Sequence, residues 1–317
     1  MRIIFMGTPD FSVPTLEALI HSRHHLIGVV TQPDRPKGRG KEIHMSPVKE
    51  TALKYDIPVY QPLRARDEAF VGEMRALKPD AIVVIAFGQI LPKELIELPR
   101  YGCVNIHASL LPKYRGASPI QWAVINGDDE TGITTMMMDV EMDTGDILEK
   151  TVVKLDENET GGSLFSRLSL LCGDLILSTL DGLEQGSIVR KPQDHEQATY
   201  VKKISKEMGD IDWTADAASI ERLVRGLNPW PSAYTRWNGK LLKIWEARAL
   251  PDGASKAGRP KDSGTVVEAR GDSLKVQTGN GVLEILSLQL EGKKRMDTSS
   301  FLRGYPIEAG CKFERSE

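Results

Sequence analysis

The sequence predicts a doubly wound, mostly parallel (Rossmann-like) α/β sheet domain followed by a small antiparallel (OB-like) β-barrel. Three observations predict it. The first half alternates short apolar runs with helix-patterned segments. Two of those runs, residues 81–86 and 103–107, are nearly continuous apolar stretches, as strands buried on both faces are. After residue 232 the texture changes to short strand patterns split by turn signals: Asn238-Gly239, Arg270-Gly271-Asp272 and Gly279-Asn280-Gly281. The 317 residues suit two domains better than one. Boundaries are expected at 1–189 for the α/β domain, 190–208 for a linker and 209–317 for the barrel.

Each element follows from its local pattern. Residues 2–6 and 26–31 read as the first two strands, with helical patterns at 14–22 and 47–55. In residues 163–186, Leu164, Leu168, Leu171, Leu175 and Leu183 recur at helical spacing. One long core helix is expected there, stopped by Gly186. Residues 190–207 are polar and lack strong periodicity, which reads as a linker. A short helix follows with Ile220, Leu223, Val224 and Leu227 on one face, ended by Asn228-Pro229-Trp230-Pro231. In a doubly wound sheet, ligands bind beyond the carboxyl ends of the strands. Gly7–Asp10, Phe87–Gln89 and Asn105–Ser109 fall at such ends and are expected to converge on one crevice.

Composition narrows the function classes. Apolar content of 40% and charged content of 27% describe a soluble globular chain with ample core. The longest clean apolar run, residues 81–87, is far short of the ~20 residues of a membrane helix. No signal peptide is read at the start, and no membrane partner is expected. The three cysteines, Cys103, Cys172 and Cys311, are scattered and lack CxxC spacing, which fits a reducing, cytoplasmic setting. Neither HExxH nor paired Cys/His ligand spacing occurs, so no metal is expected. Gly38-Arg39-Gly40 lacks the third glycine of a nicotinamide dinucleotide fingerprint, since Ile43 stands there. Phosphate-cradling GxxxxGK[ST] and nucleophile-elbow GxSxG motifs are also absent. Charge is uneven: residues 1–189 hold 19 Lys+Arg against 26 Asp+Glu, and residues 190–317 hold 22 against 18. The C-terminal part is therefore the better partner for a polyanion. A monomer is the default.

The chemistry-bearing residues cluster in four places. Asn105 and His107 sit two apart in the run Val104-Asn105-Ile106-His107, which puts both on one face of a strand. Together they offer an oxyanion donor and a proton-handling imidazole. They also suit a structural pair, an Asn at a strand end and a hydrogen-bonded core His. In Asp143-Thr144-Gly145-Asp146, a tight turn can aim a carboxylate into a cleft. Ser109–Gln121 mixes an apolar floor with Lys113, Tyr114, Arg115 and Gly116, and a loop of this kind can hold a flat ligand bearing anionic groups. Finally, Arg35-Pro36-Lys37-Gly38-Arg39-Gly40-Lys41 places four positive charges in seven residues, a plausible phosphate-backbone contact.

Taken in order, these elements resemble the methionyl-tRNA formyltransferases. The likeness rests on Phe5-Met6-Gly7-Thr8-Pro9-Asp10-Phe11 and Thr31-Gln32-Pro33-Asp34-Arg35-Pro36. It continues through Asn105-Ile106-His107, the string from Ser109 to Gln121, Asp143-Thr144-Gly145-Asp146 and Asn228-Pro229-Trp230-Pro231. It spans essentially the whole chain. The resemblance implies formyl transfer from 10-formyltetrahydrofolate to the α-amino group of methionine on initiator tRNA. It implies catalytic roles for Asn105, His107 and Asp143. It implies folate contacts along Ser109, Leu110, Leu111 and Pro112, with backbone contacts near Phe87, Gly88, Gln89, Ile90 and Leu91. It places a tRNA-contacting arginine at Arg39, with Lys37 and Lys41 as looser matches. Asp143 would orient His107, and whether His107, Asp143 or water takes the amine's proton stays open. The same residues admit two other readings. One is formyl transfer to a small amine such as an amino sugar nucleotide. The other, of a different class, is a non-catalytic RNA-binding protein on this fold, which would tolerate loss of the three site residues.

Overall fold

A computed structural model of the protein describes residues 1–37, 42–250 and 262–315. The chain forms two compact units. The first comprises Met1–Pro119, Thr131–Val153 and Phe165–Val201; the second comprises Ile120–Glu130, Lys154–Leu164 and Lys202–Glu317. The strands in chain order begin with β1 (Arg2–Gly7), β2 (His25–Val30), β3 (Arg35–Lys37), β4 (Glu42–His44), β5 (Val59–Tyr60), β6 (Ala81–Ile85) and β7 (Cys103–His107). They continue with β8 (Arg115–Gly116), β9 (Glu130–Met137), β10 (Ile147–Lys154) and β11 (Tyr200–Val201). Helices α1 (Val13–Ile20), α2 (Pro47–Lys54), α3 (Glu68–Ala76), α4 (Lys93–Ile96), α5 (Pro119–Asn126) and α6 (Gly161–Gln185) alternate with them.

The main sheet has the order β10-β9-β7-β6-β1-β2-β5. Pairs β1–β2, β1–β6, β6–β7 and β2–β5 are parallel, and β7–β9 is antiparallel. Strand β6 is buried along its whole length. That is why its five residues are all Ala, Ile or Val: neither face meets water. The loops leaving β1, β2 and β6 are laced together at the carboxyl edge. Ser12 Oγ donates to the Ile85 carbonyl, and both Thr8 Oγ1 and Gln32 Nε2 donate to the Phe87 carbonyl. These side-chain bonds to backbone oxygen join two of the three segments expected to converge, Gly7–Asp10 and Phe87–Gln89.

Helix α6 follows the leucine pattern. Leu164, Leu168 and Leu175 are buried, and Leu171 and Leu183 are partly so. Cys172, Ile176 and Leu180 complete the buried stripe. Contrary to the expectation from short apolar runs, α6 is long and apolar enough to cross a membrane by length and composition. Half of its most apolar window is buried inside the protein, as in a core helix. Residues 190–201, polar and aperiodic in sequence, are bonded into the first unit. Lys191 exchanges both backbone bonds with Ile147, and β11 pairs with β8. Their partners are backbone groups and buried polar side chains, which leave no hydrophobic period.

The second unit contains α7 (Ala217–Gly226), β12 (Ala233–Trp237), β13 (Lys240–Leu250), β14 (Val266–Arg270), β15 (Ser273–Gln277), β16 (Val282–Leu290), β17 (Met296–Asp297) and α8 (Thr298–Gly304). Its antiparallel sheet runs β12-β13-β16-β15-β14, with β17 on β16. The two outer strands are joined through the segment near the C-terminus. Glu314 exchanges both backbone bonds with Arg236 of β12, while Gly310 and Cys311 bond Val266 of β14. Closure of this kind removes open sheet edges and encloses Trp213, Leu242, Ile285, Leu288, Phe301 and Phe313 in one core.

Candidate active site

Strand β7 carries Asn105 and His107 on one face, separated by buried Ile106. Asn105 lies opposite Val84 of β6, and His107 opposite Thr134 of β9. His107 is 7% exposed. Its Nε2 lies 2.8 Å from the Tyr114 carbonyl oxygen. A carbonyl only accepts, so Nε2 carries the hydrogen. Nδ1 is then the nitrogen that faces Asp143, 3.7 Å from Oδ2. Among the described residues, no protein group hydrogen-bonds the half-buried Asn105 amide, which leaves it available to a ligand.

Asp143 is held by backbone. Its Oδ2 accepts the Gly116 N–H at 2.8 Å. Gly116 sits at φ +100°, and a Cβ there would meet the Val201 carbonyl oxygen at 2.5 Å. Glycine is thus required both by conformation and by the close approach of β11. Two non-glycine residues of the site, Tyr114 (φ 62°) and Asp143 (φ 57°), also occupy the left-handed region. Such backbone costs on the order of 1–3 kcal/mol each and collects where geometry serves function. Of the two carboxylates in the Asp143–Asp146 turn, Asp143 is the one facing His107.

The segment from Ser109 to Pro112 is fixed from below. Thr134 Oγ1 accepts the Leu111 N–H and donates to the Ser109 carbonyl. Ser109 Oγ donates to the Lys113 carbonyl at 2.6 Å, and Lys150 Nζ to the Leu111 carbonyl at 2.5 Å. Burial, with Lys191 nearby, holds the Lys150 ammonium below its ordinary pKa. Leu110 and Pro112 remain half-buried. In the neighbouring segment, Phe87 and Leu91 are buried in the core, and the Gln89 amide is committed to the Ala65 N–H and the Pro62 carbonyl. Ile90 is 80% exposed, and Gly88 adopts φ +85°. This stretch therefore offers backbone and Ile90 rather than its other side chains.

Some sequence-based expectations land elsewhere. Arg115, read with Lys113 and Tyr114 as part of a ligand-holding loop, is fully buried. It turns inward to Gln193, Tyr200 and His195. Arg39 and Lys41, and the side chain of Lys37, lie outside the described residues. Thr134 and Lys150 carry no signal in the sequence, because they act on backbone groups. Tyr114 and Gly116 belong to the loop read from sequence, but their roles run through a carbonyl and an N–H that every residue type shares. Elsewhere, ligand atoms of His24, Asp181 and Glu184 come within 4.8 Å of one another. Arg23 already donates to both carboxylates, so this is an ion-pair cluster.

A strand-borne amide and imidazole, a backbone-held carboxylate and a pinned loop at the carboxyl edge of a parallel sheet make a site for polar group transfer. Comparison with known proteins makes this specific. Residues 1–180 match the family model described as formyl transferase, and residues 203–306 match formyl transferase, C-terminal domain. A methionyl-tRNA formyltransferase of Agathobacter rectalis is 54% identical over 313 residues, covering 99% of both chains. The chain belongs to the methionyl-tRNA formyltransferase family. It is accordingly a formyltransferase. Among solved structures, the methionyl-tRNA formyltransferase from Clostridium thermocellum superposes with a TM-score of 0.54 at 22% identity, covering 80% of this chain and 95% of that one. HypX from Aquifex aeolicus in complex with tetrahydrofolic acid superposes at 0.60 with 18% identity, covering 100% of this chain and 51% of that one. At these identities the likeness is one of fold.

Proposed function

We propose that this methionyl-tRNA formyltransferase moves the formyl group of 10-formyltetrahydrofolate to the α-amino group of methionine carried by initiator tRNA. The reading rests on family membership together with the unpartnered Asn105 amide beside the His107–Asp143 pair. The folate donor supplies an activated formyl carbon. Leu110, Pro112 and Ile90 present it with apolar surface, while backbone groups of Ser109–Pro112 and Phe87–Leu91 supply polar contacts. The pinned 109–113 segment and the bare backbone at Gly88 fit a flat donor lying close to the chain.

The chain's own residues then have separate tasks. The Asn105 N–H donates to the formyl oxygen as negative charge collects there. Removing one such donor costs roughly 3–4 kcal/mol of barrier in other enzymes. His107 keeps its Nε2 hydrogen on Tyr114 and uses Nδ1 to accept the amine's proton and pass it to the departing nitrogen. Asp143 stands beside Nδ1 and stabilises the imidazolium formed in transit. Residues 1–189 thus carry the chemistry.

Residues 209–317 hold the tRNA, and Arg39, Lys37 and Lys41 contribute positive charge for its acceptor end. On the barrel, Lys243 Nζ and Arg295 Cζ stand 5.5 and 5.4 Å from the centre of the Trp245 ring. An aromatic face flanked by cations suits RNA backbone and bases. The setting for this work is the cytoplasm.

The test of the chemistry is formylation by Asn105→Ala and His107→Ala. Both are expected to lose about 10²–10³ in turnover while binding folate normally by titration calorimetry. Near-normal turnover in either variant would sink these roles.

A further inference from the structure

We infer that Gln193 is a positioning residue for Asp143, acting from the polar stretch that follows α6; this rests on the reading of Asp143 as part of the formyl-transfer site. Gln193 is 5% exposed, and its amide is fully used. Oε1 accepts two bonds from Arg115, from Nε at 3.0 Å and Nη2 at 2.8 Å. Nε2 donates two, to the Asp143 carbonyl at 2.8 Å and to the Gly145 carbonyl at 2.8 Å. The amide can sit only one way round, because a flip would set NH2 against guanidinium and oxygen against carbonyl.

The bonds close a ring. The Arg115 side chain holds Gln193, and Gln193 holds the Asp143 main chain. The Asp143 carboxylate in turn takes the N–H of Gly116, the residue after Arg115. Asp143 is therefore gripped at both ends while its backbone sits at φ 57°. A left-handed non-glycine residue persists only where its surroundings over-determine it, and Gln193 supplies the main-chain half of that constraint. Arg115 anchors the ring from within the core. It is fully buried, and it bonds Gln193, Tyr200 Oη at 3.0 Å and His195 Nδ1 at 3.3 Å. A buried guanidinium with this geometry is rigid, since its planar fork is pre-organised. Gln193 itself is fixed along the chain by the two backbone bonds between Lys191 and Ile147.

A purely structural role and a positioning role separate in Gln193→Glu. The carboxylate is isosteric and pairs better with Arg115, so a structural role predicts a normal enzyme. It has no donor for the Asp143 and Gly145 carbonyls, so a positioning role predicts a released turn. The experiment measures steady-state formylation of methionyl initiator tRNA by the full chain. Wild type, Gln193→Glu, Asp143→Asn and the double variant are compared, with folate KM and melting temperature alongside. The expected result is a fall in kcat of up to about a hundredfold for Gln193→Glu, as for a misplacement near 1 Å. Folate KM should be unchanged, and little further loss should appear in the Asp143→Asn background. Retention of kcat within about twofold, or an equal loss with and without Asp143, overturns the inference. Gln193→Met, which adds no charge, is measured in parallel. Unfolding of both Gln193→Glu and Gln193→Met also overturns it, because the fold rather than the turn would then depend on Gln193. Failure of the wild type to formylate the tRNA defeats instead the functional reading on which the inference rests.

Discussion

At the residue scale, the site depends on backbone groups as much as on side chains. The Tyr114 carbonyl sets the His107 tautomer, and the Gly116 N–H holds the Asp143 carboxylate. Gly116→Ala should therefore be costly in two ways. Its φ of +100° disfavours any side chain, and the new Cβ would strike the Val201 carbonyl oxygen. A loss on the order of 1–2 kcal/mol or more is expected, read as a lower midpoint in denaturant, together with reduced turnover. An unchanged midpoint would show that β8 and β11 can part without cost. Asn105 and His107 were legible in the sequence because strand side chains alternate with period two. The polarity of Asp143 in a glycine-containing turn was legible for a similar reason. Tyr114 and Gly116 were not, since every residue carries the same carbonyl and amide. Arg115 was legible as a charge but not as a buried one: only the Gln193 amide across the fold explains where it points.

At the scale of elements, helix α7 is opened by Asp216, whose carboxylate accepts from the Ser219 N–H and hydroxyl. Those bonds hold its carboxyl below the ordinary value of 3.8. The folded state thus binds this proton less readily than the unfolded state. The contribution is fully present above the unfolded value and is lost as pH falls through the lower folded one. Asp216→Ala should cost about 1 kcal/mol at neutral pH, and the gap in melting temperature to wild type should close on acidification. A gap independent of pH would argue against the carboxylate as the cap. In the first unit, burial pushes the Cys103 and Cys172 thiols up to about 12, while Cys311 is half-exposed. Native protein should accordingly present one thiol to a maleimide near pH 8 and three after unfolding. Rapid labelling of two or three in the native state would contradict the packing of β7 and α6. Strands 81–86 and 103–107 and helix 163–186 could be read from sequence because burial on a regular element leaves a regular pattern. The stretch 190–201 could not, because its contacts are polar, irregular and largely to backbone.

At the scale of the whole molecule, the proposed function gives chemistry to the acidic first part and tRNA grip to the basic second part. Phosphate contacts predict that tRNA affinity falls steeply with salt, by a slope of roughly 0.7–0.9 in log Kd per neutralised phosphate. Lys243→Ala should weaken tRNA binding and reduce that slope by about one. A salt-independent Kd would exclude the barrel and the basic loop as phosphate contacts. The two-part architecture was visible in the change of texture after residue 232, whereas closure of the barrel by residues 310–314 was not. That closure pairs segments nearly eighty positions apart, Arg236 with Glu314, and no local pattern announces it. The identity of the acceptor decides the function. It is tested most directly by kcat/KM for methionyl initiator tRNA against a free amino sugar nucleotide, with 10-formyltetrahydrofolate as donor. Rapid formylation of the charged tRNA and negligible transfer to the sugar are expected. Comparable or faster transfer to the sugar, or no transfer to the tRNA, would contradict it.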